Sequence, residues 1–133
     1  LWMGVPPDFD GNRPSGNNLI DLFAYLIRKY GRMDTSEYAR IMQLKTSELR
    51  GAILAIGGMS AMEWRNRYLL LEAQELMERT DMSITAIAAK LGFSQPSVFS
   101  KFFRTLTKSQ PWEWRIEKKK PGSNRKRTYH CYE

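Results

Sequence analysis

The 133 residues are 42% hydrophobic and 26% charged and include six Phe, six Tyr and four Trp, enough large apolar bulk for one small packed domain without a covalent staple. A single cysteine, Cys131, excludes an intrachain disulfide and a cysteine-based zinc cluster, and no stretch reads as a membrane span or a secretory signal. The formal net charge of +7 points toward a polyanionic partner, but fourteen Lys and Arg face twelve Asp and Glu over residues 1–114, so most of the excess lies in 115–133.

Residues 1–16 (LWMGVPPDFDGNRPSG) mix Pro, Gly, Asp and Asn with no period, which predicts a flexible arm or linker. The chain opens on Leu1 and not on Met, so it reads as a portion of a longer protein, with a processed or re-engineered start as the alternative. From Asn17 to Tyr30, Leu19, Leu22, Phe23, Leu26 and Ile27 recur at helical spacing, and Gly31 follows as a stop. Asp34–Met42 sets Tyr38, Ala39 and Met42 on a short helix. Thr46–Ile56 sets Leu49, Ala52, Ile53 and Ile56 at i, i+3, i+4 and i+7 of another, ending at Gly57 and Gly58.

From Ser60 or Ala61 through Thr80 there is neither Gly nor Pro. Trp64, Tyr68, Leu71, Leu76 and Met77 take apolar positions and Glu72, Glu75, Glu78 and Arg79 polar ones, which predicts one continuous helix.

Ser83–Arg115 (SITAIAAKLGFSQPSVFSKFFRTLTKSQPWEWR) carries the most specific pattern. Two short helices that cross steeply need a small residue where they touch and a permissive one at the turn, and Ala88 and Gly92 meet both needs. Ile84, Ile87, Ala88 and Leu91 form an apolar stripe behind Ser83 as N-cap. Phe99, Phe102, Phe103 and Leu106 form a second stripe, with Ser94 as expected N-cap and Pro96 in the first turn. Ser97, Ser100, Lys101 and Arg104 are left on the opposite face. Hydroxyls and long cations there suit base edges and phosphates, and the plain alternative is an ordinary solvated helix face.

Residues 115–133 hold seven Lys and Arg, all in RIEKKKPGSNRKR, against Glu117 and Glu133. A phosphate-binding tail that displaces counterions and a disordered, solubilising end stand as equal alternatives. His130 beside Cys131 lacks an orienting third group, which makes the pair a poor nucleophile or metal site. With no Gly-rich phosphate loop, paired carboxylates or metal-spaced histidines, neither an enzyme nor a cofactor or metal is expected.

The string IAxxLGFSxxSxFSxxFR, followed by Pro111, Glu113, Trp114 and Arg115, resembles the C-terminal half of the AraC family DNA-binding domain. The resemblance covers about Asn17 to Lys118 and implies an all-α fold of about seven helices, in which two helix-turn-helix units are joined by a long linker helix. The first unit would occupy about 34–58, the linker helix about 61–80, where Trp64, Leu70, Ala73 and Leu76 match the family pattern, and the second unit about 83–106. Residues 17–118 form the domain on this reading, flanked by the arm at 1–16 and a basic, disordered tail at 119–133. A linker helix of about 20 residues spans about 30 Å, close to the roughly 34 Å of a duplex turn.

The implied function is sequence-specific binding of double-stranded DNA by a bacterial, cytoplasmic transcription regulator. It would read the major groove with two recognition helices, act as a monomer or weak dimer, and have RNA polymerase as a further partner to consider. The alternative is a degenerate domain that keeps the fold and binds protein. Carried over residue by residue, Ser97, Ser100, Lys101, Ser47 and Arg50 are candidates for base edges, and Thr46, Ser94, Arg104, Lys108 and Arg115 for phosphates. Four positions depart from the family pattern. Glu48 and Gly51 weaken the first recognition helix, which ranks the second as dominant. Leu69 replaces a usual arginine, with Arg65 and Arg67 as nearby substitutes, and Lys108 replaces a usual glycine, either in a left-handed conformation or in a different turn.

Overall fold

The computed structural model describes residues 16–119, which fold as seven helices: α1 (Gly16–Tyr30), α2 (Thr35–Ile41), α3 (Thr46–Gly57), α4 (Ala61–Arg79), α5 (Ile84–Lys90), α6 (Pro96–Thr107) and α7 (Pro111–Lys119). The described residues divide between Tyr68 and Leu69 into two compact units, with α4 running from one into the other. The expected all-α class is observed. Gly16 and Lys119, assigned from sequence to the arm and the tail, are the first and last helical residues; the rest of both segments, with His130 and Cys131, lies outside the described residues.

In the first unit α1 buries Leu19, Leu22, Phe23, Leu26 and Ile27, the stripe its spacing predicts. The Tyr38 ring on α2 is fully buried, edge-on to Phe23 with centroids 5.3 Å apart. Its hydroxyl donates to the Gly31 carbonyl and accepts from the Met33 N–H at 3.1 Å, which ties the α1–α2 turn together. Burial pushes the Tyr38 phenol above its ordinary value, with the Met33 hydrogen bond and nearby arginines acting the other way. Leu49 and Ile53 complete this core from α3.

The second unit is built around rings. Phe93 lies 5.2 Å from Phe99 and 5.0 Å from Phe102 by centroid, Phe99 lies 6.0 Å from Phe103, and Phe103 meets Trp114 edge-on at 5.9 Å. Ile87, Ala88, Leu91 and Leu106 fill the space beside them. Thr107 is buried because its hydroxyl donates to the Phe103 carbonyl at 2.9 Å and accepts from the Ser109 N–H at 3.2 Å.

The two units repeat each other. α3 and α6 each span twelve residues, fifty positions apart, and each ends on a left-handed residue, Gly58 with φ 75° and Lys108 with φ 67°. Glu63-Trp64-Arg65 recurs as Glu113-Trp114-Arg115 at the same separation. Glu63 accepts from the Ser60 N–H at 3.2 Å, and Glu113 from the Gln110 N–H at 3.3 Å, each carboxylate closing the start of its helix. Arg65 Nη1 donates to the Met33 carbonyl at 2.8 Å. Arg115 donates to the carbonyls of Met77 at 3.0 Å, Thr80 at 2.8 Å and Met82.

Two sequence expectations need correction here. The N-cap of α6 is Gln95, not Ser94, because the second unit has five residues between its paired helices (91–95) where the first has four (42–45). On α4 the buried positions are Ala61, Arg65, Leu69, Leu70, Ala73, Gln74 and Met77, while Leu71 is exposed and Trp64, Tyr68 and Leu76 are only half-buried. Leu69 is thus a core residue. Arg65 packs within the first unit, and burial pulls its guanidinium below the ordinary arginine value.

Candidate nucleic-acid interface

Each unit pairs two short helices across a turn built alike. Ala39 and Ala88, each 1% exposed, are the small residues of α2 and α5. The Leu44 N–H donates to the Ala39 carbonyl at 2.9 Å, and the Phe93 N–H to the Ala88 carbonyl at 3.0 Å. The residue before each donor is left-handed, Gln43 with φ 62° and Gly92 with φ 89°. Gly92 takes that conformation freely; Gln43 shows that a side chain is accommodated in the same place.

α6 carries the candidate surface of the second unit. Pro96 opens the helix without a side-chain cap, and Phe99, Phe103 and Leu106 face inward. Ser97, Lys101 and Arg104 are exposed, Ser100 is half-buried, and all four fall on one stripe that Lys108 continues at the C-terminal end. Lys108 adopts the left-handed cap conformation, and its N–H donates to the Arg104 carbonyl at 2.8 Å, which places the exposed residue just beyond the helix. Among the described residues none of Lys101, Arg104 and Lys108 forms an ion pair. Ser94 is exposed before the helix and apart from this stripe.

In the first unit, Thr46 is the half-buried first residue of α3, and Ser47 and Arg50 are exposed one turn apart. Glu48 acts within its own helix, where its carboxylate accepts from the Lys45 N–H at 2.8 Å and closes the first turn. Gly51 and Leu54 share the Ser47–Arg50 face, and sequence reading named neither as a contact. Shifting the α6 stripe back by fifty residues identifies both.

Arg115, a phosphate candidate from sequence, also has a structural role. Its Nε, Nη1 and Nη2 are all engaged with carbonyls at and beyond the end of α4, where main-chain acceptors lack helical partners. Lys118 lies 4.0 Å from Glu78, and Lys119 lies 3.6 Å from Asp81. Arg115 therefore anchors α7 to the end of α4, and Lys118 and Lys119 lie beside carboxylates of the same unit. Among the described residues no group of three or more His, Cys, Asp and Glu could hold a metal ion, and no helix is long and apolar enough to cross a membrane.

Two helix pairs of this geometry, each presenting the outer face of its second helix to solvent, define a double helix-turn-helix protein. The family model described as a helix-turn-helix domain matches residues 38–116. The regulatory protein PocR of Salmonella typhimurium strain LT2 is 41% identical over 58 residues, which cover 44% of this chain and 19% of PocR, so the match spans about a fifth of that relative. Three solved structures share the fold. The DNA-binding domain of AdpA, a global transcriptional factor in complex with a target DNA, has a TM-score of 0.66 at 22% identity, covering 74% of this chain and 89% of that one. The C-terminal domain of AraT, a response regulator from Geobacillus stearothermophilus, has a TM-score of 0.68 at 19% identity, covering 86% and 96%. A regulator from Chromobacterium violaceum with an AraC-type DNA-binding domain has a TM-score of 0.64 at 23% identity, covering 78% and 91%. The chain belongs to the AraC family of helix-turn-helix DNA-binding transcription regulators.

Proposed function

We propose that this chain reads double-stranded DNA through the major groove with α3 and α6, and that α6 supplies most of the sequence recognition. The observation that carries this reading is the α6 stripe. Ser97, Ser100, Lys101 and Arg104 stand at i, i+3, i+4 and i+7, the spacing at which a homeodomain helix meets base edges. Ser97, Ser100 and Lys101, nearest the N-terminus, are the base-edge contacts; Arg104 and Lys108 reach phosphates, with Ser94 as an accessory contact before the helix. α3 contributes Arg50 as its one cation, with Ser47 beside it and Thr46 at the helix start. The AdpA domain, which shares the fold, was solved bound to its target DNA.

A salt titration tests this reading. Binding to duplex should weaken linearly on a log-log plot with a slope of about 0.9 per phosphate contacted. Absence of binding to every fragment at low salt overturns it. Deleting residues 120–133 isolates the tail: lower non-specific affinity with unchanged site preference assigns that segment to phosphates.

A further inference from the structure

The exposed stripe of α3 differs in chemistry from that of α6 at equivalent positions. Ser47, Arg50, Gly51 and Leu54 stand where α6 has Ser97, Ser100, Lys101 and Arg104. Leu54 is 57% exposed, although the core-facing side of the same helix buries Leu49 and Ile53 completely. A single exposed leucine needs no explanation, but this one occupies the i+7 position of the stripe proposed to face the groove. It also borders a hollow of about 370 Å³ lined by Thr35, Arg50, Leu54, Ser60, Ala61 and Met62. Among the described residues no acidic side chain lines that hollow, and the Glu48 carboxylate is turned back onto the Lys45 N–H. Gly51 leaves the surface between Arg50 and Leu54 open, since a Cβ added there would meet nothing within 4 Å.

An apolar side chain beside an arginine on such a stripe matches one feature of B-DNA. In the major groove thymine alone among the four bases presents a methyl group, and the neighbouring phosphates and guanine edges suit a cation. We infer that Leu54 is a specificity-determining residue that contacts a thymine 5-methyl group within the segment read by α3. This rests on the proposed DNA reading. It makes the two recognition helices unlike in kind: α6 reads with hydroxyls and cations alone, and α3 adds an apolar tip to its hydroxyls and single cation.

The test starts from duplexes enriched by the full 133-residue protein from a library randomised over about two helical turns (~20 base pairs). Each thymine of the enriched site is then replaced in turn by deoxyuridine, which removes only the methyl group. One replacement should weaken wild-type binding about fourfold, the effect of withdrawing one buried methyl-sized group. Leu54→Ala should bind the thymine and uracil duplexes equally, and Leu54→Met should retain the difference, which separates lost contact from lost folding. Wild-type tolerance of every replacement overturns the role of Leu54 and leaves the DNA reading standing, as does sensitivity that persists in Leu54→Ala. Failure to enrich any sequence overturns both.

Discussion

Arg65 and Arg115, fifty residues apart, serve as equivalent fasteners. Arg65 Nη1 donates to the Met33 carbonyl at 2.8 Å, and Arg115 Nη1 donates to the Met82 carbonyl. Met33 and Met82 each precede the N-cap of the first helix in their helix-turn-helix pair, Asp34 for α2 and Ser83 for α5. Each guanidinium thus fixes where its pair begins. Arg115 adds the Met77 and Thr80 carbonyls near the end of α4, so its removal takes one donor from each of three acceptors.

Arg115→Met should cost about 2–4 kcal/mol, the range for breaking a partly buried charged network. Thermal unfolding checks this. Arg104→Ala, on the exposed α6 stripe, should leave the melting temperature within experimental scatter and reduce the salt slope of DNA binding by about 0.9. The reverse pattern would make phosphate binding the main role of Arg115.

Gln74 is 1% exposed, and neither its Oε1 nor its Nε2 has a hydrogen-bond partner among the described residues. Gln74→Leu removes two unsatisfied polar atoms at similar volume and should raise stability by about 1 kcal/mol, measured by urea unfolding. A loss of stability would show that the amide is paired in solution.

Gly51 sits in the interior of α3 with open space around its missing side chain. Gly51→Ala should stabilise the fold by about 0.5–1 kcal/mol, the ordinary difference in helix preference. An unchanged melting temperature would argue against this account.

Burial raises the Tyr38 phenol pKa, so the unfolded chain releases that proton first as pH rises past its ordinary value of 10.0. Protons bound by the folded but not the unfolded state make stability fall with rising pH. The contribution is therefore present below about pH 10 and lost as pH climbs toward the raised folded value. Tyr38→Phe should be less stable at neutral pH, where it lacks the Gly31 and Met33 hydrogen bonds, and should show a shallower alkaline decline.

What could be read from sequence follows from what kind of signal each residue leaves. Leu19 to Ile27, Ala88 with Gly92, and Phe99 to Leu106 announce themselves because apolar period and turn chemistry agree. On α4 a single apolar period misled: the helix serves two units, and two of its buried side chains, Arg65 and Gln74, are polar. Ser94 looked like a cap because its hydroxyl suits one, but one extra residue in the turn moves the helix start past it. For Arg115 the sequence suggests a phosphate contact, and only tertiary placement adds its carbonyl partners. The repeated Glu-Trp-Arg at 63–65 and 113–115 was visible in the sequence and marks both fasteners.

The most direct measurement is equilibrium binding of the wild type, Lys101→Ala and Arg50→Ala to the duplex that the protein itself enriches. Both variants should lose affinity and discrimination, by about 1–3 kcal/mol at each base-reading contact, with the larger loss at Lys101 on α6. Unchanged affinity and site preference in both would contradict the bipartite reader.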